Sequence, residues 1–311
     1  MMIVSHVSYN LDMSDLARLK VAASVLLPEL SPTWRLEVMA RAAGSLTYAS
    51  LRAKLKTPCA VVLDPAIPVR VFLEDRAVSI DPLKIHLAFA HAAVLRMLED
   101  HPHLHHHGYG AEYFINGHGA RSSMAASRTE LAGTVAAGEF LRAHAFLQKI
   151  KKIETVNRSR SSYGLKHVVE KIAFDLGGQI LPANYITNGA LIAAALYNGF
   201  DLHRIDHGPN AHFNMSKRSI EALISEHKAS ASSDPRRMDL ELVVDWHPSG
   251  RRTLKKREVG TTRYSDVKTE SLFGNLDDKT FYEALSKFET MNIALGYYVT
   301  LRDHSPQASA A

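Results

Sequence analysis

Residues Ala190 to Tyr197 read Ala-Leu-Ile-Ala-Ala-Ala-Leu-Tyr, apolar on nearly every side if wound into a helix. A helix without a polar face has to be enclosed. Eight residues cannot cross a bilayer, which takes about 20, so the rest of the chain must supply the enclosure. The run therefore predicts a buried core helix. No other window approaches the length of an apolar membrane span, so no membrane partner is expected. The opening residues Met1 to Asn10 lack the basic and long apolar regions of a secretory leader, which leads to the expectation of a cytoplasmic chain. Cys59 is the single cysteine, so no internal disulfide can form. That fits a reducing compartment, and Cys59 reads as a small buried apolar residue beside Val61 and Val62.

The surrounding pattern predicts a mainly α fold with a small α+β unit at the C-terminal end. Leu16, Leu19, Ala23, Leu26 and Leu27 fall on one side of a helix over 12–27, stopped by Pro28. Ser31-Pro32 and Asp81-Pro82 place a capping side chain before a first-turn proline, the favoured order at a helix start. They predict helices from 32 to Gly44 and from 82 to 100, with a third short helix over 47–55. Ala60–Leu63 and Val69–Leu73, valine-rich and bounded by prolines, read as extended pieces. One or two helices are expected over 125–152. Two more are expected, with Ser162 capping 163–176 and Asn188 capping 189–197. An extended Pro209–Met215 and a helix capped by Ser216 to about His227 follow.

Ala229–Asp234, small and polar, reads as a connection. Met238–Trp246 alternates apolar and polar residues like a half-buried strand, and Arg251–Val259 returns after turn residues as its hairpin partner. A helix over 278–291 and a strand over 296–301 complete this part, with Asp277-Asp278 as helix-start residues. The expected organisation is a three-helix module (1–57), a central helical domain (58–230), the basic α+β unit (238–303) and a frayed tail (304–311).

Net charge is +5 and the isoelectric point about 9.2. This directs attention to acidic partners, and its distribution is more telling than its sum. Between Arg142 and Lys171 cations dominate. Asn157-Arg-Ser-Arg-Ser-Ser-Tyr163 combines guanidiniums, hydroxyls, an amide and an aromatic just before a helix start, the groups that phosphate and base recognition use. The same residues also describe a capped loop ahead of a solvated helix. Arg251-Arg-Thr-Leu-Lys-Lys-Arg257 carries five cations in seven residues, either a ribbon for phosphates or a charged edge strand that resists aggregation. The nucleic-acid-contacting set expected from sequence is Lys151, Lys152, Arg158, Arg160, Tyr163, Lys166, His167, Lys217, Arg218, Arg251, Arg252, Lys255, Lys256 and Arg257.

His101-Pro-His-Leu-His-His-His107 holds five histidines in seven residues. Histidine is a common metal ligand, and His101, His103, His105 and His107 are the candidates, with Glu112 and His118 nearby. The spacing matches no defined metal motif, so no metal and no cofactor is expected, and the stretch reads as a solvated loop after a helix. Phosphate-loop, dinucleotide, nucleophile-elbow and kinase signatures are absent, so nothing in the sequence marks an enzyme.

Two groups of residues carry a resemblance. Leu36-Glu-Val-Met-Ala-Arg-Ala-Ala-Gly-Ser-Leu-Thr-Tyr-Ala-Ser-Leu51 is similar to N-terminal helical modules of uncharacterised proteins of bacterial plasmids and integrated elements. Ser161–His167, Tyr185–Ala195, Asn198-Gly-Phe200 and Pro209–Asn214 resemble a module of other conserved mobile-element proteins. The resemblance implies a mobile-element setting, where nucleic-acid handling and interference with host defence are frequent tasks. The leading expectation is a nucleic-acid-binding accessory or regulatory protein, with DNA or RNA as partner. A protein-binding adaptor or inhibitor and a histidine-dependent metal enzyme are the alternatives.

Overall fold

The computed structural model describes residues 3–74, 76, 78–115, 123–233, 238–246, 252–258, 265–266 and 297–303; from Lys228 on it describes the backbone alone. The protein is about half helical, with small sheets whose strands pair mostly antiparallel. It divides into two units, 2–227 and a second made mainly of 228–311.

The first unit opens with β1 (Ile3–Val4) and β2 (Ser8–Leu11), followed by α1 (Asp15–Leu26), α2 (Pro32–Ala42) and α3 (Tyr48–Lys54). The caps follow the sequence: the Ser31 hydroxyl accepts from the Trp34 amide, and Thr47 and Ser50 form a reciprocal capping box. Gly44 ends α2 at φ +71°, a left-handed conformation that favours glycine. β3 (Cys59–Val62) pairs antiparallel with β2, and Cys59 there is only partly covered.

The second valine-rich piece is not extended. It lies in α4 (Ala66–Glu74), where Val69, Phe72 and Leu73 are buried while Ile67 and Val71 stay exposed. The apolar residues follow a spacing of three and four, and Pro68 sits in the first turn, where its missing N–H costs no hydrogen bond.

α5 (Pro82–Asp100) leads into a tight hairpin of β4 (Leu104–His105) and β5 (Gly108–Tyr109), then α6 (Glu112–Ile115). α7 (Met124–Leu131) and α8 (Thr134–Leu147) follow. β6 (Lys152–Asn157) is a strand that the sequence pattern does not predict. α9 spans Ser162–Val169, capped by Ser161 and shorter than expected, because Phe174–Asp175 leaves it as β7, between β1 and β8 (Ile180–Leu181). α10 (Asn188–Tyr197) is capped by Thr187. β9 (Leu202–Arg204) and β10 (Ala211–Met215) complete a sheet in the order β6-β10-β9, and α11 runs Lys217–Ser233. Ala229 to Ser233, expected as a connection, thus continue that helix.

The core forms around α5, α8 and α10, which pack on one another, with α1 also against α5. Asn188 to Ala195 of α10 are all buried, as an all-apolar helix requires. Phe89, Phe140, Phe146, Leu191 and Ile192 are almost without exposure; each such side chain stabilises the fold by about 1.5–3 kcal/mol.

In the second unit β11 (Met238–Trp246) pairs antiparallel with β12 (Arg252–Glu258), giving a sheet in the order β13-β12-β11-β14 with β13 (Ser265–Asp266) and β14 (Tyr297–Asp303). The expected helix over 278–291, the Asp277-Asp278 pair and the tail over 304–311 lie outside the described residues.

Candidate nucleic-acid interface

The cations expected from sequence fall into distinct structural classes. Arg142, part of the basic middle, is buried, and its Nε donates to the Pro182 carbonyl at 2.8 Å. Burial lowers the pKa of its guanidinium, with Glu139 acting against that shift. Lys152 is engaged: its Nζ lies 3.0 Å from an Asp201 carboxylate oxygen and also reaches the Gly199 carbonyl. Lys151 is exposed, and its backbone fixes the start of α11, with the Ser216 amide donating to the Lys151 carbonyl at 2.9 Å. That brings Lys151 beside Lys217 and Arg218, both exposed, with Lys217 loosely paired to Glu221 at 3.7 Å.

The other group stands at the far end of β6. The Asn157 side-chain oxygen accepts from the Ser159 amide and hydroxyl and closes a tight turn, on which Arg158 and Arg160 are exposed. The Arg160 carbonyl is held by a His212 ring nitrogen at 3.1 Å. The Ser161 hydroxyl accepts from the Gly164 amide, so α9 begins there and presents Tyr163 and His167 outward while Leu165 and Val169 face the core; Lys171 is exposed in the turn that follows the helix. Among the described residues Arg158, Arg160 and Lys171 have no carboxylate partner.

Lys166 departs from the expectation of a solvated cation. Only 3% exposed, its ammonium lies 2.7 Å from Glu170, 5.2 Å from the Tyr163 ring centre and 4.5 Å from that of Tyr185. Burial acts to raise the Glu170 pKa, but the Lys166 and His167 contacts and the Ile186 amide outweigh it and hold the carboxylate below its usual range. His167 lies 2.7 Å from Glu170 and stands edge-on to Tyr163. Tyr163 and Tyr185 remain 52% and 59% exposed. Tyr185 is absent from the sequence-predicted site, although an aromatic in the non-periodic stretch Pro182-Ala-Asn-Tyr185 has no helix or strand face to bury it.

On β12, Arg257 stands in register with Glu241 of β11, and Lys255 with Asp266 of β13; Arg252 and Lys256 oppose Trp246 and Leu242. Arg251, with Arg263 and Tyr264, lies outside the described residues.

The histidine stretch is a packed hairpin instead of a solvated loop. His105 is fully buried, its Nε2–H donating to the Gly110 carbonyl at 3.2 Å and its Nδ1 without a hydrogen-bond partner among the described residues. Burial lowers its pKa to about 4, assisted by His107, His106 and Arg128 against the hydrogen bond to Gly110. Arg128 of α7 donates to the carbonyls of Leu98, His101, Pro102 and Leu104. The Gly189 amide donates to the His106 carbonyl at 2.9 Å, and the Asn188 side chain to those of His107 and Pro209. Asn188, expected as a cap, thus ties α10 to the hairpin. His101 and His103 each set a ring near Tyr109. Among the described residues no three His, Cys, Asp or Glu side chains converge as metal ligands, and His118 lies outside them.

No known protein family, curated protein or solved structure matches the chain. No helix among the described residues is long and apolar enough to cross a membrane.

Proposed function

We propose that the protein binds nucleic acid, as an accessory or regulatory protein of a bacterial mobile element, through the turn and helix from Arg158 to Lys171. One observation carries this reading: Arg158, Arg160 and Lys171 are exposed and, among the described residues, without carboxylate partners on the same short unit that presents Tyr163 outward. Unpaired cations are free to displace counterions from phosphates, and that displacement is the main driving force of sequence-independent binding. The Lys151, Lys217 and Arg218 group lies at the other end of β6, about 20 Å of strand away at the usual rise per residue. It lengthens the surface along which a phosphate chain would run. The basic strand β12 of the C-terminal unit, read as part of a small α+β module, would contribute Arg252, Lys255, Lys256 and Arg257 to the same task.

The test is binding of labelled DNA and RNA across a salt series. The logarithm of affinity is expected to fall linearly with the logarithm of salt concentration, and Arg158→Ala with Arg160→Ala to lower that slope by about 1.4–1.8, according to strand type. A failure of every nucleic acid to bind at low salt would overturn the reading.

A second reading, a protein-binding adaptor or inhibitor in the cytoplasm, draws on the exposed apolar pairs Val21 with Val25 on α1 and Ile67 with Val71 on α4. Purification without nuclease that yields one stoichiometric protein and no nucleic acid would favour it.

A further inference from the structure

We infer that the Tyr163–Lys166–Tyr185 cluster is a stacking site for unpaired bases, so that the ligand taken up here is single-stranded nucleic acid; this rests on the nucleic-acid reading of the same surface. The two rings come from separate segments, α9 and the stretch before α10, yet both lie against one ammonium, at 5.2 and 4.5 Å. That ammonium is pinned by Glu170 at 2.7 Å, and Glu170 also accepts from the amide of Ile186, the residue after Tyr185. The same carboxylate therefore fixes the lysine and the chain that carries the second ring. Its charge is spent internally, so Lys166 and Glu170 act as positioning residues and the rings are set in place before any ligand arrives.

Preorganisation of this kind lowers the ordering cost of binding. A buried tyrosine would offer no face to a ligand, and a mobile one would lose entropy on stacking. Here each ring keeps more than half of its surface exposed while one side rests on the cation. The surrounding charge complements a strand: residues 157–171 carry Arg158, Arg160, Lys166 and Lys171 against Glu170 alone. A duplex keeps its bases stacked inside and can use only the cations, whereas an unpaired strand can use both cations and rings.

The experiment is fluorescence anisotropy on the full chain with three labelled probes of equal length: oligothymidylate, a duplex of mixed sequence, and an abasic strand with the same phosphates. The expected result is that oligothymidylate binds more tightly than the other two. Tyr163→Ala and Tyr185→Ala should each weaken it about tenfold, while leaving the abasic strand and the salt slope unchanged. Tyr163→Phe and Tyr185→Phe should retain binding, because the ring and not the hydroxyl is used. Thermal melts of all four variants check that they are folded. If duplex or abasic strand binds as tightly as oligothymidylate, or the alanine variants bind it unchanged, the stacking site is overturned while the cationic surface stands. If neither these probes nor their RNA counterparts bind at low salt, both readings fall.

Discussion

Gly189 is confined by its neighbours: a Cβ placed there would come within 2.1 Å of the His105 carbonyl oxygen and 2.7 Å of that of His106. The α10 backbone has to approach the histidine hairpin this closely for the Gly189 amide to reach the His106 carbonyl. Gly189→Ala is therefore expected to lower the unfolding free energy by about 1–3 kcal/mol, the usual cost of overpacking a closed site. Gly138, inside α8, meets nothing nearer than 3.7 Å, and Gly138→Ala should be neutral or stabilising by up to about 1 kcal/mol. Urea titration of the two variants checks the pair, and equal effects would contradict the close docking. Residue identity alone does not separate these glycines, just as it does not separate Lys166 from Lys171. Both lysines sit in an apparently amphipathic segment. Only the tertiary placement of Tyr185 against Lys166 shows that one is buried and the other free.

The helices with a strong local signal are legible in the amino-acid order alone. Ser31-Pro32, Thr47 and Asp81-Pro82 fix three helix starts through hydrogen bonds within a few residues, so each short stretch contains all the partners. β6 is not legible in that way, because Lys-Ile-Glu-Thr-Val-Asn is an edge strand with little burial and its pairing partner β10 lies more than fifty residues later. The end of α9 escapes for the same reason, since β7 is held by β1, which lies far earlier in the chain. The histidine hairpin shows how one side chain can hold an irregular element. Arg128 serves four of its neighbouring carbonyls, and a lysine cannot span them with one ammonium. Arg128→Ala and Arg128→Lys are both expected to cost about 2–3 kcal/mol and to speed amide exchange over 101–110, with exchange in α1 unchanged. Protection over 101–110 equal to that of the unaltered chain would refute this role.

The whole molecule keeps several imidazoles in its interior. His86, His105 and His144 are buried, and burial lowers each pKa from 6.5 to about 4. His144 is committed to its neutral form, with Nε2–H donating to the Ser8 carbonyl and Nδ1 accepting from Asn198, both at 2.8 Å. His86 has no hydrogen-bond partner on either ring nitrogen among the described residues. The unfolded chain binds protons below pH 6.5 that the folded chain refuses until about pH 4. Stability must therefore fall as pH drops through that window, by up to about 1.4 kcal/mol per pH unit for each histidine. Denaturant midpoints measured at pH 7 and pH 5 should differ markedly. His144→Gln should reduce the pH dependence at some cost in absolute stability, and a midpoint independent of pH would contradict the burial of these rings.

Ile3 and Val4 pair in parallel with Phe174 and Asp175, and Ser8 exchanges hydrogen bonds with Gln148. These partners have consequences for synthesis. The ribosome adds roughly 5–20 residues per second, so the first strand waits on the order of ten to thirty seconds before its neighbour exists. During that interval Ile3 and Val4 lack their pairing partner and are available to chaperones and proteases. A nascent chain halted before Phe174 would still leave Ile3 and Val4 unpaired, while one released beyond Leu181 would hold all three strands of that sheet.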